Sequence, residues 1–256
     1  MSIELQPSVP APGPSTAAGE AILDAASALF SSRGIAATGV DLIAARAGVT
    51  KRTLYQRFGS KEALLADCLR RRMHAWQAHV LDELDAAPAM PPALAIRTVF
   101  AAARDWTRDP RRGCSFLAAW PEVAVSPGDA ATLVRQEEAW MRSLFTVLTG
   151  DAATGELVHQ LYAGAQICAA IDDDPDAMDR AADAAAHIVR GARERASASA
   201  SDGPAGDGRR GAAAPEIGDA TQYISPMPLL SAIAARTQHI EVGAGAIEIR
   251  QHISGL

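Results

Sequence analysis

Gly48 sits between two short amphipathic stretches, and the residues around it leave few folds open other than two short helices meeting at a tight turn. Ala44 and Ala47 are small where one helix must let the next approach, Gly48 takes the turn, and Val49, Leu54 and Phe58 supply an apolar underside. Thr50 is placed to cap a helix over 51–57, and Ser60 to cap another with Glu62 in its first turn. Upstream, Ile22, Ala26, Leu29 and Phe30 fall at i, i+4, i+7 and i+8, the stripe of a helix that stops near Arg33 and Gly34. The second helix runs to about Ala47, with Thr38 or Gly39 as its cap; the sequence leaves both open. Three short helices in about forty residues, two of them joined by a glycine turn, have the geometry of a helix-turn-helix.

With Leu54 and Phe58 turned inward, Lys51, Arg52, Thr53, Tyr55 and Gln56 remain on outer faces, where few have a structural task. Arginine and lysine can pair with guanine edges, glutamine with adenine, threonine with a thymine methyl and tyrosine with phosphate. Lys61 lies in the first turn of the fourth helix, where a cation is unfavourable unless an anion such as phosphate is also present. Charge supports this. The formal net charge is −6, but Arg33–Arg72 holds nine basic and three acidic residues, so that segment is +6 and the remainder −12. A positive head on an acidic body suits a DNA-binding module joined to a different one.

The run TGVDLIAARAGVTKRTLYQRFGSKEALL, Thr38 to Leu65, resembles the DNA-binding head of TetR-family regulators. The resemblance, with the first helix, covers residues 19–65. It implies a homodimer whose two heads enter successive major grooves of an operator, and a helical body that binds a small effector. DNA-binding residues on this reading are Thr38, Lys51, Arg52, Thr53, Tyr55, Gln56, Arg57 and Lys61, the last on phosphate. Arg57 stands where many relatives have histidine, and Gly39 where many have serine or threonine.

Beyond the head, the fourth helix is expected to run from Ser60 towards Leu84, and helical stretches recur at 94–107, 115–124, 129–148, 155–171 and 176–195. Trp76, Phe100, Phe116, Trp120 and Tyr162 are candidates for lining an effector pocket, although helical spacing favours core packing for each. Pro121 should end or bend its helix and so marks a candidate moving element. Leu157, Leu161, Ala165 and Cys168, with Ala182, Ala185, Ala186 and Val189, form two stripes of mostly small residues. In relatives the last two helices form a four-helix interface between subunits; the pattern alone fits an intrachain core equally well.

The expected fold is all-α. It comprises a disordered arm (1–18), a helix-turn-helix domain (19–65), a helical effector-binding and dimerisation body (66–195), a linker (196–216) and an appended tail (217–256) expected to be poorly ordered. Helix-then-strand patterning at 225–249 is α/β-like and resembles a segment of luciferase-like flavin monooxygenases, which makes a flavin oxidoreductase fragment fused to a regulator the alternative. A barrel needs about 250 residues to close, so that fragment could not be an enzyme. His74 and His79 lack HExxH spacing, Cys68, Cys114 and Cys168 have no zinc or disulfide spacing, and no nucleophile pattern occurs. A non-enzymatic, cytoplasmic regulator without metal or cofactor is expected, a repressor released from its operator by a small-molecule effector.

Overall fold

Capping residues divide the chain as the sequence suggests. In the computed structural model, which describes residues 5–13, 15–86, 90–108, 116–124, 128–172 and 174–201, Thr16 opens α1 (Ala17–Arg33) by accepting from the Gly19 N–H. Gly39, which has no side chain to offer, opens α2 (Val40–Arg46). Thr50 accepts from the Thr53 N–H at 3.1 Å to open α3 (Lys51–Phe58), and Ser60 accepts from Ala63 at 3.0 Å to open α4 (Lys61–Asp85). The body follows as α5 (Pro92–Thr107), α6 (Phe116–Val123), α7 (Asp129–Thr149), α8 (Ala152–Ile171) and α9 (Ala177–Ser201). Among the described residues there is no strand, and no helix is long and apolar enough to cross a membrane. Gly48 has φ +66°, which only glycine adopts cheaply, and this lets the chain reverse between α2 and α3.

Two apolar clusters hold these helices together. The first joins Ile22, Leu29 and Phe30 of α1, Ile43, Leu54, and Leu64 to Met73 of α4 to Ala119, Val123 and Val134 of α6 and α7. The head is therefore not closed at residue 65, because its core continues into three body helices. The second cluster joins Trp76 and Val80 of α4 to α5, α7, α8 and α9 around Phe100, Phe145, Leu144 and Val158.

Helices α7 and α8 approach closely at Gly155. A Cβ there would stand 2.7 Å from the Thr146 Cα, a backbone atom that cannot turn aside. Gly155→Ala is expected to lower unfolding stability by about 1–3 kcal/mol, the usual cost of overpacking. Chemical denaturation measures it; an unchanged midpoint would show that α7 and α8 are not held at this distance.

Three expectations change. The disordered arm was expected over 1–18, but α1 already begins at Ala17, and although residues 5–13 have neither helix nor strand, residues 5–9 are seated on the body and Val9 is buried. The linker was expected from 196, yet α9 runs to Ser201, since alanine and serine do not break a helix and Gly203 is the first residue that would. Of the two outcomes expected at Pro121, an end or a bend of its helix, the first does not occur, because Pro121 lies inside α6. The rest of the linker and the tail at 217–256, including its flavin-enzyme resemblance, lie outside the described residues.

Candidate nucleic-acid interface

Helix α3 is pinned from beneath by Leu54, which is fully buried, with Phe58 and Val49 packed beside it. Its other residues are thereby fixed in direction. Arg52, Tyr55, Gln56 and Arg57 are exposed, and none has a hydrogen-bond or ion-pair partner among the described residues. Lys51 pairs with Asp41 of α2 at 3.1 Å. Both groups are well exposed, and such a pair contributes about 0–1 kcal/mol, so it yields readily to a phosphate. The Thr53 hydroxyl lies 2.8 Å from that of Thr50 and belongs to the cap of α3.

Thr38 does not join this surface. It is fully buried, and its hydroxyl donates to the carbonyls of Gly34 at 2.7 Å and Leu29 at 3.3 Å. These acceptors lie in the last turn of α1 and in the residue that follows it, so the Thr38 side chain fastens that turn and is turned away from the exposed face of α3. Lys61 is half-buried, with its ammonium donating to the Ile35 carbonyl at 2.6 Å. An ammonium has three donors, which leaves two for an anion.

The same α1–α2 turn is gripped from the body. The Ile35 and Ala36 N–H groups donate to the two oxygens of Glu122 on α6, at 2.9 and 2.5 Å. Glu122 thus joins α6 directly to the segment that orients α2 and α3. Sequence reasoning singled out its neighbour Pro121 but passed over Glu122.

The aromatic candidates divide. Trp76, Phe100 and Tyr162 meet in the second cluster, with Phe100 and Tyr162 edge to face at 5.4 Å and Trp76 edge to face with Trp106 at 5.4 Å. Trp120 packs on the first cluster instead, with the Arg135 guanidinium 5.2 Å from its ring centroid. It thus packs on a different cluster from the other three, because α6 lies on the head side of the body. The Phe116 side chain lies outside the described residues.

Two polar residues that the sequence reading missed lie at the centre of the body. Gln77 of α4 is fully buried and Glu137 of α7 nearly so, with Gln77 Nε2 donating to Glu137 Oε2 at 2.7 Å. Glu137 Oε1 is buried with no hydrogen-bond partner. Burial disfavours the charged form and pushes the Glu137 carboxyl up to about 8, against the hydrogen bond from Gln77 and the Arg72 charge, which act to lower it. Burial likewise pushes the Tyr162 hydroxyl well above its ordinary value. The helical period was the available signal: Glu137 shares a stripe with Val134, Trp140, Met141 and Leu144.

Residues 22–68 match the family profile described as bacterial regulatory proteins, tetR family. Among solved structures, a TetR-family transcriptional regulator from Streptomyces coelicolor is similar at 28% identity and TM-score 0.58, over 68% of this chain and 93% of that one. A TetR-type transcriptional regulator from Streptomyces avermitilis is 28% identical with TM-score 0.56, over 66% and 97%. A ketosteroid transcriptional regulator of Mycobacterium tuberculosis, 20% identical with TM-score 0.51 over 71% and 97%, shares the fold. No curated protein matches the chain. These likenesses give no support to the flavin-enzyme resemblance of the tail.

Proposed function

We infer that this chain is a sequence-specific, DNA-binding transcription regulator of the TetR type, a cytoplasmic, non-enzymatic homodimer that represses until a small-molecule effector releases it. The observation that carries the reading is the rigid presentation of Arg52, Tyr55 and Gln56: α3 is fixed by Leu54 below, and these three side chains have no partner within the head. Base readout falls to Arg52 and Gln56, and backbone positioning to Lys51, Tyr55, Arg57 and the remaining donors of Lys61. Effector release is supported by two features of the chain. The body encloses aromatic rings around a buried carboxyl, and Glu122 links it mechanically to the head.

Titration of DNA flanking the protein's own gene tests the reading. Binding should weaken steeply with salt as counterions are released. Arg52→Ala should cost about 1–3 kcal/mol and relax preference at one base pair, whereas Tyr55→Phe should weaken all sequences alike. Equal, sequence-independent losses from both would refute the assigned roles.

A further inference from the structure

The N-terminal arm is held by its backbone, not mainly by its side chains. Trp140 Nε1 donates to the Gln6 carbonyl at 2.9 Å, and Gln136 Nε2 donates to the Ser8 carbonyl at 2.9 Å. The Ser8 N–H donates to Gln77 Oε1 at 2.6 Å, and His74 Nδ1 lies 3.1 Å from the Val9 carbonyl. All four body residues come from α4 and α7, so the arm occupies a groove between these helices. Its side chains reach both clusters, Val9 entering the first and Leu5 packing on the second. Beneath it, Gln77 spans from Ser8 to Glu137, whose second oxygen is buried without a hydrogen-bond partner. Side chains that read three carbonyls and an N–H of one extended segment in this way recognise an amide chain of almost any sequence.

We propose that the α4–α7 groove is a binding site for an extended, amide-bearing ligand such as a short peptide, and that residues 5–9 hold it in a self-occupied state from which the ligand displaces them. Proline at positions 7, 10, 12 and 14 limits the freedom of the released arm and favours the extended form that the groove accepts. A tethered competitor acts at an effective concentration in the millimolar range, so only a ligand with additional contacts displaces it. The orphaned oxygen of Glu137 supplies one such contact to a ligand carrying a hydroxyl or amine. Because Val9 is part of the cluster that contains the head, displacement is felt at α1 and α4. This consequence rests on the regulator reading; occupancy of the groove does not.

The test uses the full chain with Leu5→Asp and Val9→Asp together, which disfavours burial of the arm, and a capped peptide with the sequence of residues 5–10 as probe. Tryptophan fluorescence reports binding, since the Trp140 indole is one of the donors, and no DNA is needed, so the proposal and the regulator reading can fail separately. The doubly substituted chain should keep cooperative unfolding and bind the peptide saturably at one site. The wild-type chain should bind at least about tenfold more weakly, and Gln136→Ala in the substituted chain should weaken binding about tenfold. Equal binding by wild type and variant, or none by a folded variant, would overturn the proposal. Loss of cooperative unfolding in the variant would overturn it too, because a segment required for folding cannot be exchanged for a ligand.

Discussion

Glu137→Gln is expected to abolish most of the loss of stability that the wild-type chain shows between pH 5 and pH 8. The Glu137 carboxyl is pushed up to about 8 in the folded chain from an ordinary value of 4.5, chiefly by burial. Between those values the folded chain keeps a proton that the unfolded chain has released. Folding therefore binds a proton, and stability contributed by this group is fully present below the unfolded value and falls as pH rises towards the folded one. At ~1.4 kcal/mol per pH unit the loss across the window amounts to a few kcal/mol. Glutamine has nearly the same shape, can still accept from Gln77 through its carbonyl oxygen, and has no proton to lose. The two chains should have unfolding midpoints of similar size near pH 5 and diverge above it, with the variant the more stable at pH 8.5. Denaturant titrations at several pH values measure this. Parallel wild-type and variant curves would mean that Glu137 is not held in a dry environment.

Glu137 also shows what kind of information the sequence carries. Its position on the inward stripe of α7 is a local, periodic fact and was legible. Its partner Gln77 lies sixty residues earlier and is equally inward on α4, but nothing local says that the two meet. The head was legible nearly to the residue because its determinants are local: Thr50 and Ser60 cap helices that begin beside them, and Gly48 turns the chain where it stands. Thr38 shows the limit of the same reasoning. As a hydroxyl beside α2 it qualified as a cap, and the resemblance made it a DNA contact, but its acceptors are Leu29 of α1 and Gly34 just after it, and only the folded turn brings them within reach. The arm is similar. A stretch without hydrophobic period forms no helix, yet its backbone is bonded by side chains of two distant helices. Helical spacing turned Trp76, Phe100, Trp120 and Tyr162 inward, but could not say that α6 places Trp120 in a different cluster.

Substituting aspartate for Leu157 and Ile171 on α8 is expected to dissociate the proposed dimer and lower operator affinity by about 10²–10⁴-fold. Of the two stripes considered for the subunit interface, that of α9 is spent within the chain: Ala182, Ala185, Ala186 and Val189 are all buried, where α9 packs on α5 and α8. Ala165 of α8 is buried as well. The outward face of α8 is different. Leu157 is 50% and Ile171 72% exposed, Cys168 is exposed, and Leu161 is only partly covered. With Gly164 these positions recur at alternating steps of four and three, the spacing of a helix-packing seam, and glycine at its middle permits close approach. Large apolar groups left on a seam of this kind suit a symmetric contact in which α8 meets the same helix of a second copy. Two charges placed there would be buried opposite their own copies, while the core on the far side of α8 is untouched, so each chain should stay folded. Each monomer would still present α3, but the second head would no longer be delivered at the effective concentration that dimerisation provides, which sets the scale of the expected loss. Light scattering gives the mass and DNA titration the affinity. A doubly substituted chain that remains dimeric would place the interface on another face, and a monomer with undiminished affinity would show that the two heads do not act together.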